Sequence, residues 1–176
     1  MPMTRGRLLK TGFAGGLVLA LAGCARSGGS PFRDDAAAYK VLDGTERGLI
    51  AALAPAFLAG ALPTANGVAT HDALVAAVRG FDTALSGLPP VDVAQIRKLL
   101  GMLDNPFIKP LATGVWSSWG DASPATVTAF LNRWRFSPIE LLRGGYDVLH
   151  QLTMAGWYGQ DRAWSAIGYP GPPRLS

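Results

Sequence analysis

The sequence holds one cysteine and two histidines among 176 residues. A single thiol excludes an internal disulfide, and His71 and His150 leave Cys24 few partners for a metal site. Charged residues are also scarce, at 16% against 49% hydrophobic, a balance that points to a covered face. No G-x-G-x-x-G, P-loop, C-x-x-C-H or H-E-x-x-H signature is present, so the sequence offers no fingerprint for dinucleotide, phosphate, attached haem or catalytic zinc. It has no basic stripe of the kind that binds nucleic acid. No run alternates as a half-buried strand would, and no internal repeat of fixed period is visible.

What the sequence does have begins at its thiol. Arg5, Arg7 and Lys10 form a positive segment without acids, and Thr11 to Ala22 form a short apolar run ahead of Leu21-Ala22-Gly23-Cys24. Residues 1–23 therefore read as an export signal whose apolar part is too short for a stop-transfer helix. The last four of these residues resemble the lipobox of bacterial lipoproteins, in which the cysteine is acylated and becomes the new N-terminus. Two or more acyl chains anchor stably where one is marginal. The alternatives are a plain cleaved signal with an incidental cysteine, or a short membrane anchor. Thr4 to Lys10 also resembles a twin-arginine motif with glycine in place of the second arginine, which leaves that route and the general secretory route both open. Residues 24–41 follow as the lipidated cysteine and a flexible linker, and 42–176 as one domain. Loss of Arg5, Arg7 and Lys10 lowers the formal net charge from +4 to +1.

The remainder carries a helical period nearly throughout. A helix starts at Asp43, with Glu46 completing a capping box, and presents Leu49, Ile50, Leu53 and Phe57 on its way towards Gly60, with Pro55 set to kink it or end it early. Thr70 caps a second helix bearing Leu74, Val78, Phe81 and Leu85, closed by Gly87. A third, over about residues 91–104, carries Val93, Ile96, Leu100 and Leu103. Asn105-Pro106, Ser123-Pro124 and Ser137-Pro138 each place a polar cap before a proline, and Glu140 makes the last a capping box. The longest helix runs from there to about Tyr158 through Leu141, Leu142, Tyr146, Leu149, Leu152 and Met154. A short helix with Trp164 and Ile167 ends at Gly168, and the proline-rich tail from Tyr169 lies extended. The expectation is an all-α single domain of six or seven helices.

Chemistry has little to stand on. Tyr146, Asp147 and His150 share one helix, so Tyr146 or Asp147 orients His150, and the pattern reads as a held surface histidine ahead of a catalytic one. The five tryptophans, Trp116, Trp119, Trp134, Trp157 and Trp164, all fall in the last third. An aromatic core is the first account of them. The second is a partner-binding face shared with Arg133, Arg135 and Arg143, because Trp, Tyr and Arg anchor interfaces.

The stretch FLNRWRFSPIELLRGGYDVLHQLTMAGWYGQDRAWSAIGYPGPP resembles the C-terminal half of the gluconate 2-dehydrogenase subunit 3 family. The residues that carry the resemblance are Phe130, Leu131, Trp134, Arg135, Leu142, Arg143, Tyr146, Trp157 and Tyr158, then Ile167 to Pro172. Leu49, Ala52, Leu53 and Pro55 are similar to the family's first helix, and the likeness covers Leu42 to Pro173. It implies a non-catalytic small subunit with no cofactor of its own. Its large partner is an FAD-dependent dehydrogenase of the glucose-methanol-choline type, and in many complexes a cytochrome c subunit with haem c carries electrons to the membrane. With the lipobox, this implies a membrane-anchored subunit on the periplasmic side, touching its partner through Trp134, Arg135, Arg143, Trp157, Tyr158, Tyr169 and Pro170 or through the fold they shape. A free-standing helical envelope lipoprotein and a small enzyme using His150 are the competing readings.

Overall fold

The structure, a computed structural model, describes residues 36–172. Cys24 and the signal segment lie outside them. Seven α-helices and three short 3-10 turns appear among the described residues, so the protein is all-α as the periodicity predicts.

Helix α1 (Gly44–Phe57) opens on the expected capping box. The Asp43 carboxylate accepts the Thr45 and Glu46 amides at 3.0 and 2.9 Å, and Glu46 Oε2 accepts the Asp43 amide at 2.9 Å. Pro55 lies in its last turn, and the helix stops two residues later, short of Gly60. A hairpin of two-residue strands, β1 (Thr64–Ala65) and β2 (Val68–Ala69), follows antiparallel with Thr64 opposite Ala69. The alternation test cannot register strands this short. The legible signal was Asn66-Gly67, whose φ values of 52° and 77° are what a primed two-residue turn demands.

Helix α2 (His71–Ser86) is capped by Thr70, whose hydroxyl accepts the Ala73 amide. Gly87 ends it with φ −83°, so it serves without a left-handed cap. Helix α3 (Pro90–Asp104) starts on a proline. Asn105 caps a turn, accepting the Phe107 and Ile108 amides at 3.0 and 3.1 Å, and α4 (Lys109–Thr113) grows from it before Gly114 (φ 68°) stops it. Ser123 caps α5 (Pro124–Arg135) through the Thr126 amide at 3.1 Å.

The capping box expected at Ser137 does not form. Helix α6 (Glu140–Tyr158) begins later because the Ser137 hydroxyl turns to the Ile139 amide at 3.1 Å and its carbonyl accepts Arg143 Nη1 at 2.7 Å. Leu141, expected on the apolar stripe, is exposed. Helix α7 (Asp161–Trp164) tightens into a 3-10 turn over Ser165–Ile167 and closes at Gly168 (φ 69°), where the short helix was expected to end.

The apolar stripes meet in one main core. Leu49, Ile50 and Leu53 of α1 join Val78, Phe81 and Leu85 of α2, Ile96, Leu100 and Leu103 of α3, Phe130 and Trp134 of α5, and Leu149 of α6. A second cluster sets Ala54 and Leu58 against Ala73, Ala77, Trp157 and Ala163. Helices α2 and α6 run antiparallel in direct backbone contact: Gly80 faces Gly156, and Gln160 Nε2 donates to the carbonyls of Gly156 and Ala76 at 2.7 and 3.1 Å.

Residues 36–41, read above as the end of the linker, belong to the fold. Tyr39 lies under the Arg47 guanidinium at 4.7 Å, and the buried Asp82 carboxylate accepts the amides of Lys40, Val41 and Leu42 at 2.8, 2.9 and 2.8 Å. Arg97 ties α3 to the α1 cap, donating to Glu46 at 2.8 Å and to Asp43 at 3.2 Å. The hydrogen bond to Glu46, and then its charge, hold the Arg97 guanidinium above its ordinary pKa.

Asp104 ends α3 at the negative pole of the helix. Burial raises its pKa above the ordinary carboxylate value, with Lys109 opposing and Asp43 adding to the rise. A carboxyl with a raised folded pKa favours the fold while protonated, and that contribution is lost as pH rises through the folded value. Asp104→Asn is therefore expected to raise the melting temperature at about pH 7 and to leave it unchanged at about pH 3, by circular dichroism.

Candidate functional site

The α5–α6 corner gathers several of the residues singled out in the sequence. Trp134, only 1% exposed, donates from Nε1 to the Ala112 carbonyl at 3.0 Å and meets Phe130 edge-on at 5.0 Å between centroids. Gly145 permits this, because a Cβ there would lie 2.8 Å from the indole. Beside it, Arg133 donates to the Thr113 carbonyl, fastening α4 to the last turn of α5. Arg135 is exposed and lies over the rings of Phe136 and Tyr146 at 5.3 and 5.8 Å. Arg143 is half-buried and committed to the Ser137 carbonyl.

His150 stacks on Tyr146 at 5.6 Å with 11° between planes, and Phe57 meets it edge-on at the same distance. Tyr146 is thus its partner on α6, while Asp147 is exposed. These rings, with Thr128, Asn132 and Arg135, line an open cleft of about 180 Å³ between α1, α5 and α6. That is less room than the roughly 300 Å³ at which small-molecule sites begin. The cleft presents an imidazole, a guanidinium and an amide, groups that bind polar atoms, and the aromatic stack holds the imidazole in place. Phe57 comes from a helix distant in sequence, so spacing along α6 did not reveal it.

The opposite end of α6 holds the rest. Its 19 residues span about 28 Å, so Arg143 and Tyr158 belong to separate ends of the bundle. Trp157 is buried in the second cluster and Tyr158 packs against it. Trp164 Nε1 donates to the Tyr158 carbonyl at 2.9 Å, and the Tyr169 amide to the Trp164 carbonyl at 2.9 Å. The Tyr169 ring then meets Trp164 edge-on at 5.4 Å, and Gly171 (φ 96°) passes over the same indole. The tail to Pro172 is non-helical and fastened to Trp164, leaving Tyr169 and Pro170 exposed.

The seven expected contact residues thus divide three ways. Trp134 and Trp157 are core, Arg135 and Arg143 stand at the α5–α6 corner, and Tyr158, Tyr169 and Pro170 sit at the far end. Sequence reasoning missed the large apolar side chains Phe107 (83% exposed), Leu111 (86%), Phe136 and Ile139 left in the open around the first end; beside them stand Trp116 (82%), named above among the tryptophans, and Leu141 (81%), expected on the buried stripe. Their signal is apolar residues out of register with the buried stripe, as Leu141 is beside the half-buried Leu142.

Among the described residues no group of histidine, cysteine or acidic side chains is placed to hold a metal ion, and no helix is long and apolar enough to cross a membrane. No protein-family model, no curated protein and no solved structure matches the chain.

Proposed function

We propose that this chain is a non-catalytic accessory subunit, anchored through an acylated Cys24 on the periplasmic side of the envelope, that binds and stabilises an exported FAD-dependent dehydrogenase of the glucose-methanol-choline type. In this reading the flavin belongs to the large partner, and haem c, where present, to a third subunit. One observation supports it above the others. The C-terminal segment, where the resemblance is most specific, is folded onto Trp164 by a backbone hydrogen bond and a ring contact, yet keeps Tyr169 and Pro170 exposed. An aromatic–proline segment already held in place docks with little further loss of entropy.

The test is isolation of the tagged mature chain from producing cells. A larger protein with flavin absorbance is expected to co-purify, and ending the chain after Gly168 is expected to release it. Tyr169→Ala should weaken capture at least about tenfold, the size of an interface hot spot. A free-standing envelope lipoprotein would be isolated alone, and substrate turnover by the chain alone, abolished by His150→Ala, would make it an enzyme.

A further inference from the structure

We infer that the end of the bundle formed by α4 and the α5–α6 corner rests on an anionic bilayer surface, with its exposed apolar side chains in the headgroup region. The inference builds on the reading of Cys24 as a lipid anchor and says which face that anchor brings down.

Phe107, Leu111 and Trp116 project from the turn before α4, from α4 and from the turn after it, and each is more than four-fifths exposed. Two hydrogen bonds, from Arg133 to Thr113 and from Trp134 to Ala112, hold that segment against the last turn of α5. The chain continuing from that turn carries Phe136 and Leu141, also exposed. The inner side of the same elements is already filled by Thr113, Val115 and Trp134. The outer residues are therefore surplus to this protein's own core, and they gather on segments fastened to one another, unlike single scattered apolar residues that need no explanation.

Charge identifies the occupant. The α5–α6 corner, residues 133–143, contains Arg133, Arg135 and Arg143 against Glu140 alone, a formal net charge of +2, while Lys109 of α4 is buried with its Nζ on the Ser117 carbonyl. The mature chain as a whole carries +1, so everything outside the corner sums to −1. Positive charge is thus concentrated at the corner that carries Phe136 and Leu141. Tryptophan, aliphatic residues and arginines on adjoining segments are the combination that partitions into the interface of an anionic leaflet.

The tether allows this: the chain from Cys24 to Ala36 spans up to about 40 Å when extended.

The test uses the mature chain, residues 24–176, carrying Cys24→Ser so that no acyl group is present. It is mixed with vesicles of phosphatidylcholine containing about one-third phosphatidylglycerol, and bound protein is measured by sedimentation. Binding is expected, and the double change Leu111→Glu with Trp116→Glu should weaken it at least about tenfold with helicity retained. Val68→Glu, an exposed apolar position on the hairpin, should change nothing. Three outcomes would overturn the inference: no sedimentation with vesicles, sedimentation indifferent to the double change, or a double change that instead dissolves a dimer of this chain or releases a captured flavoprotein while vesicle binding stays intact. Failure here leaves the anchor reading standing. That reading falls separately, if the chain extracted from its native membrane has the mass of an unacylated Cys24.

Discussion

Gly80→Ala and Gly156→Ala are each expected to lower stability by about 3 kcal/mol or more and the melting temperature by about 10 °C. The two residues face each other where α2 crosses α6. A Cβ on Gly80 would lie 2.2 Å from the Gly156 carbonyl oxygen, and one on Gly156 would lie 2.3 Å from the Gly80 carbonyl carbon. The obstacle is backbone on both sides, so no rotamer change relieves it and the helices must separate. Separation would also stretch the bond from Gln160 to Ala76 and would open the contacts of Phe81 and Leu149 in the main core. Gly144 supplies the contrast. It lies in the same helix with open space where a Cβ would go, and Gly144→Ala should stabilise by about 0.5 to 1 kcal/mol through helix propensity and a less free unfolded chain. Thermal melts of the three variants decide it. Equal losses at Gly144 and Gly156 would show that the crossing is not the tight contact described.

Asp82→Ala is expected to cost about 3 kcal/mol, because it strips the acceptor from three backbone amides at once. Lys40, Val41 and Leu42 donate to its two oxygens, and both Leu42 and Asp82 itself are buried. The loss should also be local in character. Tyr39 and Leu42 would lift from the core, while the α1 cap at Asp43, which has its own partners, remains. Amide exchange checks this directly: protection at residues 40–42 should fall to that of an open segment, with α2 and α6 affected only through global stability. Asp82→Asn keeps one acceptor oxygen and should recover part of the loss. Undiminished protection at Leu42 in the alanine variant would refute the account.

Much of the helical layout was legible in the sequence because it is decided over a few residues. Asp43, Thr70 and Ser123 cap the helices expected of them, since a side-chain oxygen two or three residues ahead of an orphan amide needs no help from the rest of the fold. The stripes through Leu49 and Leu53, Val78 and Phe81, or Leu100 and Leu103 are buried as their spacing requires. The stack of Tyr146 on His150 follows equally from residues one turn apart on the same helix.

What the tertiary structure alone decided are pairings between distant segments. The start of α6 is the exception, a contest between local bonds: Ser137 carries the signature of a capping box, yet its hydroxyl takes the Ile139 amide and its carbonyl the Arg143 guanidinium. Asp82 reads as an ordinary polar residue of α2 until the arm forty residues earlier is laid against it. The site shows the same division: Trp134 and Trp157 were set beside Tyr169 as interface candidates, and only the folding of α5, α6 and the tail together made two of them core and left the third exposed. Exposure is a relation between elements. Local hydrogen bonding and periodicity therefore place the helices, while the choice of which apolar face stays outside, as at Leu111 and Trp116, belongs to their packing.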